Sequence, residues 1–339
     1  MRLPNVFQDV AHLEEVMSTP SEALSKELKE LEGDILILGV GGKMGPTLAR
    51  MAKLAAPKKR VIGVARFSEP GLQERLSAQG IECISCDLLS REALAALPDV
   101  ANVVFMAGRK FGSQGSEWLT WAMNAHLPAL VAERYKASRI VAFSTACVYP
   151  FVSVNGPGAQ ESLAPTPVGE YANSCVGRER MFEHFSHQYQ TPGRLIRLSY
   201  AIDMRYGVLH DLAQQILANQ PISLAMGHAN VIWQGEANER SLRALTKCTT
   251  PTTGLNLSGP MISIAHAARG LASRLGKTPE WVGTEAPTAW LVDCSQANAY
   301  WGAPQVSLDT MLDWTADWVL RGQASLNKPT HFEVRDGQY

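Results

Sequence analysis

The stretch Asp34-Ile35-Leu36-Ile37-Leu38-Gly39-Val40-Gly41-Gly42-Lys43-Met44-Gly45 passes from an uninterrupted apolar run into four closely spaced glycines. An apolar run of strand length without polar alternation describes a strand covered on both faces, as in a parallel sheet. Gly39, Gly42 and Gly45 are spaced G-x-x-G-x-x-G, with Gly41 between them, and lead into a helix expected over 43–55. A turn this tight needs residues without a Cβ, and it brings backbone N–H groups at a helix N-terminus close to a pyrophosphate. Gly39, Gly41, Gly42, Lys43, Met44 and Gly45 are therefore read as a dinucleotide-binding loop, a purely structural turn being the alternative. Lys43 either adds a phosphate contact or stands in solvent.

Outward from this loop, strand and helix signals alternate. VIGVA (61–65), a helix near 72–79, IECISC (81–86), a helix near 90–96, NVVFMA (102–107), a long helix near 117–136 and RIVAFST (139–145) follow in order. The alternation predicts an α/β chain with a Rossmann-type doubly wound parallel sheet, binding ligands at the carboxyl ends of its strands. Upstream, residues 11–32 hold LEEVM and EALSKELKELEG, a helical lead-in with Ser21 as N-cap and Gly33 as stop. The expected organisation is a lead-in over 1–33, a cofactor domain over 34–200 and a smaller, mostly substrate-binding region over 201–339.

Bulk composition narrows the partners. The 339 residues are 46% hydrophobic and 19% charged, a globular composition long enough for a sizeable core. With 31 basic against 32 acidic residues there is no electrostatic footprint for nucleic acid or an anionic membrane. The first residues lack a secretory h-region, and no window approaches about eighteen apolar residues, so a cytoplasmic protein without a spanning helix is expected. Six cysteines then read as free thiols. Cys83 and Cys86 form a C-x-x-C inside a strand, where an i, i+3 pair points to opposite faces, so the reading is structural. The eight histidines show no metal-binding spacing; His184 and His187 read as a solvated face, and no metal is expected. No G-x-S-x-G elbow is present, which argues against a serine hydrolase.

The second strand bears on the cofactor. An acid at its end would bind the ribose 2′-hydroxyl of NAD, whereas an arginine accommodates a 2′-phosphate. Here Ala65 is followed by Arg66, with Ser68 close behind, so NADP is expected over NAD; the bland alternative is an exposed arginine.

The order of motifs resembles the extended short-chain dehydrogenase/reductases, the group of nucleotide-sugar epimerases and dehydratases, over roughly residues 34–275. Asp87-Leu88 resembles the family's adenine-binding Asp-Leu, and Ala107, with Gly108 beside it, ends the fourth strand where the family lines the cofactor. Asn124 matches the asparagine of the next helix. Ser144-Thr145-Ala146-Cys147-Val148-Tyr149 resembles Ser-Ser-x-x-Val-Tyr, which puts Thr145 at the catalytic Ser/Thr position. Glu161, Pro167 and Tyr171 follow at the family's spacing, and Arg197-Leu198 and NLSGP (256–260) resemble its later landmarks. The resemblance implies hydride transfer between a nicotinamide and a secondary alcohol carbon, Tyr171 exchanging the hydroxyl proton and Thr145 binding the oxygen. It also implies a homodimer through the helices near 117–136 and 171–187.

Two departures qualify it. Tyr171-Ala172-Asn173-Ser174-Cys175 has cysteine where the family has a lysine that binds the nicotinamide ribose and lowers the tyrosine pKa. Arg178 and Lys110 are the nearest cations by sequence, each with a surface or phosphate-contact alternative. Without one beside it, Tyr171 should titrate near its ordinary value of about 10. In the second departure, Asn230-Val231-Ile232-Trp233-Gln234-Gly235-Glu236 lacks the arginine that grips a substrate diphosphate; Arg205 or Arg240 would have to serve, unless solvated. A small polyol, sugar or sugar acid is therefore expected. Trp118, Trp121, Tyr149, Asn173, Tyr200 and Trp233 are candidate cleft walls, with Lys110 and Cys147 as further contacts, although each tryptophan taken alone reads as core. The expected activity is that of an NAD(P)-dependent oxidoreductase or epimerase. The rival is a dinucleotide-binding sensor or scaffold without turnover, and a lyase variant would need a second base, for which Glu170 is the candidate.

Overall fold

The computed structural model describes residues 3–337 apart from 111, 113 and 114. The lead-in is two helices, α1 (Val10–Met17) and α2 (Glu22–Glu30). Asp9 and Ser21 cap them by accepting from the His12 and Leu24 N–H groups, which satisfies one otherwise orphaned donor in each first turn. There follow β1 (Ile35–Leu38), α3 (Gly45–Ala55), β2 (Val61–Ala65), α4 (Leu72–Ala78), β3 (Glu82–Ser85), α5 (Arg91–Ala95), β4 (Asn102–Phe105), α6 (Glu117–Trp121), α7 (Leu127–Arg134) and β5 (Arg139–Thr145). The chain continues through β6 (Val152–Ser153), α8 (Gly169–Tyr189), β7 (Gly193–Leu198), β8 (Ala201–Ile202), α9 (Val208–Leu217), β9 (Ile222–Ser223), β10 (His228–Asn230), β11 (Ile232–Trp233), α10 (Gln234–Arg243) and β12 (Thr253–Leu257). It closes with β13 (Met261–Ser263), α11 (Ile264–Leu275), β14 (Trp281–Val282), β15 (Thr288–Ala289), α12 (Ser295–Trp301) and α13 (Leu308–Leu320).

Seven strands form one parallel sheet in the order β12-β7-β5-β4-β1-β2-β3. The continuous apolar runs have their expected meaning, because successive residues feed opposite layers. Ile35, Ile37, Val61, Val104 and Ile196 pack with α2, α3 and α10 on one face. Leu36, Leu38, Ile62, Val64 and Val103 pack with α5, α7 and α8 on the other. Cys83 and Cys86 divide between the same two layers, as their spacing predicts. The strand order reverses between β1 and β4, which opens a crevice at the carboxyl ends of the strands. The helix expected over 117–136 is interrupted by one π turn, Ala122–His126, which carries Asn124 inward. Such bulges recur at functional sites.

A second core is built by α9, α11 and α13 around Leu209, Leu271 and Trp318. The beginning of the chain is woven into it. The Phe7 ring centroid lies 4.8 Å from that of Trp314 and 5.7 Å from that of Trp233, and Trp314 Nε1 donates to the Pro4 carbonyl at 2.8 Å. After α13 the chain runs as a strap over residues 323–337. Thr330 donates through N and Oγ1 to Asp211 at 2.7 and 2.6 Å, and Phe332 is buried in the second core. Arg335 donates to the Thr288 carbonyl at 2.7 Å and lies 4.1 Å over the Phe151 ring, and Gly337 packs against Val168 and Gly169. The strap therefore reaches the start of α8, two residues before Tyr171. No helix among the described residues is long and apolar enough to cross a membrane, and no cluster of His, Cys, Asp and Glu among them could hold a metal ion.

Candidate active site

Two cavities open at the crevice and share Gly39, Gly42 and Met106. The larger, about 580 Å³, is lined by Arg66 and Ser68 beyond β2, Asp87 and Leu88 beyond β3, and Ala107 and Gly108 beyond β4. The smaller, about 290 Å³, is lined by Lys43, Lys110, Thr145, Cys147, Tyr171 and Tyr200, together with Tyr206 and Trp290.

The glycine loop fits a dinucleotide diphosphate. Gly39 has φ +90°, and a Cβ there would lie 2.6 Å from the Ala107 nitrogen; one on Gly45 would lie 2.2 Å from the Val40 carbonyl oxygen. Those two glycines let strand, loop and helix close on one another. A Cβ on Gly42 meets only the Gly39 oxygen at 3.5 Å, so that face is open to both cavities. No side chain caps the start of α3; the Gly45 N–H turns back to the Gly42 carbonyl at 3.1 Å and Pro46 has no N–H, so the Thr47 N–H is the one in the first turn without a backbone partner among the described residues.

On α8, Tyr171, Cys175 and Arg178 share the inward face by i, i+4 and i+7 spacing. Burial and the neighbouring Cys175 and Cys147 thiols push the Tyr171 phenol well above 10, with the Arg178 guanidinium opposing them. The expectation of an ordinary tyrosine is thereby corrected, since desolvation outweighs the charge. Burial likewise raises the Cys175 thiol. Arg178 is neither a surface nor a phosphate contact. It is 6% exposed and donates to the Phe143 carbonyl and to Asn124 Oδ1, both at 2.7 Å. Asn124 lines neither cavity; it accepts from the Arg109 N–H at 2.8 Å and donates to Ser174 Oγ at 2.9 Å, so it fastens the loop after β4 to α8.

Lys43 does not stand in solvent. Its Nζ donates to the Ala201 carbonyl at 2.9 Å and lies 4.1 Å over the Tyr206 ring; burial lowers its pKa to about 8. Lys110 donates to the Thr330 carbonyl of the strap at 3.2 Å, and burial lowers its pKa too. The two lysines and Tyr200 therefore meet Thr145 and Tyr171 at one cavity.

Several expected wall residues lie elsewhere. Tyr149 is buried, donating to Asn256 Oδ1 at 2.9 Å and accepting from Arg197 at 2.6 Å. Trp233 is 1% exposed, its ring stacked on Phe7 and close to Trp314. Trp118 and Trp121 are 72% and 40% exposed, and Trp121 Nε1 holds Glu170 at 2.6 Å, which turns that carboxylate away from the cavity. Asn173 is exposed and donates back to the Gly169 carbonyl at 2.9 Å. Helix periodicity explains Glu170 and Asn173, which flank the inward stripe of α8. Arg205 and Arg240 are not available to a diphosphate. Arg205 is paired with Asp203 at 2.8 Å and Glu14 at 2.7 Å, and Arg240 donates to Asn298 at 3.1 Å and to the Gly302 carbonyl at 2.7 Å. Tyr206 and Trp290 were not anticipated; Tyr206 sits in a turn closed on Asp203 and carries no periodic signal.

The fold has counterparts among solved structures. UDP-glucuronic acid 4-epimerase from Bacillus cereus, in complex with UDP-glucuronic acid and NAD, is 20% identical with a TM-score of 0.70, over 85% of this chain and 99% of that one. dTDP-glucose 4,6-dehydratase from Bacillus anthracis, in complex with NAD, is 15% identical with a TM-score of 0.73, over 85% and 96%. UDP-glucose 4-epimerase from Thermus thermophilus, in complex with NAD, is 18% identical with a TM-score of 0.69, over 84% and 98%. At such identities the likeness is one of fold, and no curated protein sequence matches the chain. Residues 35–234, from β1 into the start of α10, match the NAD dependent epimerase/dehydratase family, and the chain belongs to that family.

Proposed function

We propose that this protein is an NAD(P)-dependent oxidoreductase or epimerase acting on a secondary alcohol, or the matching carbonyl, of a sugar, sugar acid or polyol-like small molecule. The observation that carries the reading is the convergence of Tyr171, Thr145 and the glycine loop on one cavity of about 290 Å³. Gly39, Gly41, Gly42, Met44 and Gly45 would hold the cofactor's diphosphate, and Arg66, Asp87, Leu88, Ala107 and Gly108 its adenosine end. When bound, the cofactor supplies the hydride donor or acceptor. Tyr171, its proton held firmly by burial, donates to a substrate oxygen or takes the proton back. Thr145 Oγ1 accepts the Cys147 N–H at 3.2 Å, which leaves its own proton for the same oxygen. The cavity's size and the engagement of Arg205 and Arg240 elsewhere favour a substrate without a nucleotide diphosphate. A second reading, a dinucleotide sensor without turnover, draws on Cys175, a buried thiol one turn from Tyr171. Following nicotinamide absorbance across polyols, sugars and sugar acids separates the two, because tight cofactor binding with no turnover on any compound would sink the enzyme.

Gly42→Ala should leave the thermal midpoint unchanged, because its Cβ meets only ordinary contacts, yet weaken cofactor binding at least about tenfold by intruding on the diphosphate. Equal affinity by NADPH fluorescence titration would remove the diphosphate from this loop. Arg66 supports a preference for NADP. NADPH should bind about tenfold or more tightly than NADH, the value of one charge-assisted hydrogen bond, and Arg66→Ala should erase the difference. Tighter binding of NADH would overturn that preference.

A further inference from the structure

We propose that Asn238 and Gln234 are positioning residues for the dinucleotide: by gripping Thr47 they hold the Met44 turn of the glycine loop in the shape that receives the diphosphate. This rests on the proposed function, in which that loop carries the cofactor.

Thr47 stands in the first turn of α3, and its hydroxyl uses every hydrogen-bonding position it has. Oγ1 donates to the Met44 carbonyl at 3.1 Å and accepts from Asn238 Nδ2 at 3.0 Å and from Gln234 Nε2 at 3.3 Å. Gln234 and Asn238 are four residues apart on α10, so both reach the same point from one face of that helix. All three side chains are buried, and none lines either cavity at the crevice. The two amides stand behind the loop, and their effect on the cofactor passes through Thr47.

The loop needs such a hold. Four of the seven residues from Gly39 to Gly45 are glycines, which lose the most freedom on ordering. The loop's own bonds, from the Gly42 N–H to the Gly39 carbonyl and from the Gly45 N–H to the Gly42 carbonyl, both 3.1 Å, form the turn without fixing Met44. Met44 lies at the cavity wall, and its carbonyl is taken by the Leu48 N–H at 3.0 Å and by Thr47. The unit that carries the amides grips the loop a second time. Lys43 donates to the Ala201 carbonyl, and Ala201 pairs with Ile232, two residues before Gln234.

The choice of residues is costly unless it serves the loop. Gln234 and Asn238 are fully buried, yet their side-chain carbonyl oxygens have no hydrogen-bond partner among the described residues. Apolar side chains would join α10 to α3 without that penalty. What the amides add is a pair of donors that turn the Thr47 hydroxyl so that its proton points at Met44. A loop held in its bound shape before the cofactor arrives loses less freedom on binding, which raises affinity.

The test is fluorescence titration of the full chain with NADPH and with NADH, well below the thermal midpoint, where a loss of stability alone leaves the affinity of the folded protein unchanged. Thr47→Val keeps the shape of the side chain and removes the hydroxyl. It should weaken the preferred dinucleotide at least about tenfold, since all three bonds at Oγ1 are lost and the loop is released. Thr47→Ser restores the hydroxyl and should stay within about twofold of wild type. Asn238→Ala should weaken binding at least about threefold in the wild-type background and add nothing to Thr47→Val, because its effect passes through the hydroxyl. Should Thr47→Val not fold, Gln234→Ala and Asn238→Ala together carry the test, with a loss approaching about tenfold expected and an unchanged affinity overturning the assignment. Unchanged affinity in Thr47→Val or in Asn238→Ala, a loss in Thr47→Ser as large as in Thr47→Val, or a further loss when Asn238→Ala is added to Thr47→Val overturns it too, while leaving the proposed function standing. A wild-type protein that binds neither dinucleotide removes the proposed function itself.

Discussion

Under the proposed function, Tyr171→Phe should lower turnover by a factor of about 10² to 10⁴, the range of one general acid, on the substrate that a screen of polyols, sugars and sugar acids identifies. The change removes one oxygen from a side chain at the cavity wall and leaves the glycine loop untouched, so NADPH affinity and the thermal midpoint should stay at wild-type values. Burial raises the phenol well above 10, so it stays protonated across neutral pH. Carbonyl reduction, which consumes that proton, should therefore show no decline up to about pH 9, because the proton is lost only above the raised pKa. Alcohol oxidation needs the phenolate and should climb with pH throughout this range. Steady-state rates of the unsubstituted protein and of Tyr171→Phe in both directions check the pair of statements. An unchanged rate in Tyr171→Phe removes the residue from the chemistry.

Glu179→Ala should destabilise the protein by about 3–5 kcal/mol, the cost of stripping the partner from a buried ion pair. Glu179 is fully buried on α8 and accepts from Arg197 at 3.0 and 2.7 Å and from Ser144 Oγ at 2.6 Å. Its loss leaves the Arg197 guanidinium buried on β7 with, among the described residues, the Tyr149 hydroxyl and the Glu161 carbonyl as hydrogen-bond partners. The thermal midpoint should fall by on the order of ten degrees. Replacing Glu179 and Arg197 together by leucine should cost less than Glu179→Ala alone, since no charge is then stranded. Thermal unfolding followed by circular dichroism compares the two. Because Ser144 precedes Thr145 at the end of β5, the same loss should loosen that edge of the cavity.

What the sequence made legible was local. The loop from Gly39 to Gly45 could be read because strand, turn and helix start are all encoded within about a dozen residues. The parallel sheet could be read because a strand buried on both faces leaves no polar alternation. On α8 the same periodicity that puts Tyr171 inward puts Glu170 and Asn173 outward, a distinction the spacing contained. The long-range pairings were not legible. Nothing near Trp233 says that Phe7, from the start of the chain, and Trp314 will enclose it. Lys43 sits in a loop whose local pattern points to phosphate, yet Ala201, 158 residues on, decides where its ammonium goes. Arg178 read as a cation near Tyr171 or else a surface or phosphate contact; a buried guanidinium served by a carbonyl and an amide becomes visible only when β5 and the π turn are in place.

The interlocking of the early residues with the strap governs the order in which the molecule can be completed. Trp314 binds a carbonyl 310 residues away, and Lys110 one 220 residues away. Closing so long a loop adds little to the equilibrium cost, about 0.6 kcal/mol for each doubling of length, but contacts of this separation are slow to be found. The glycine loop, built from neighbouring strands, is therefore expected to organise before the wall that fixes Lys110. A chain caught before that step would hold a dinucleotide cradle without a finished substrate chamber.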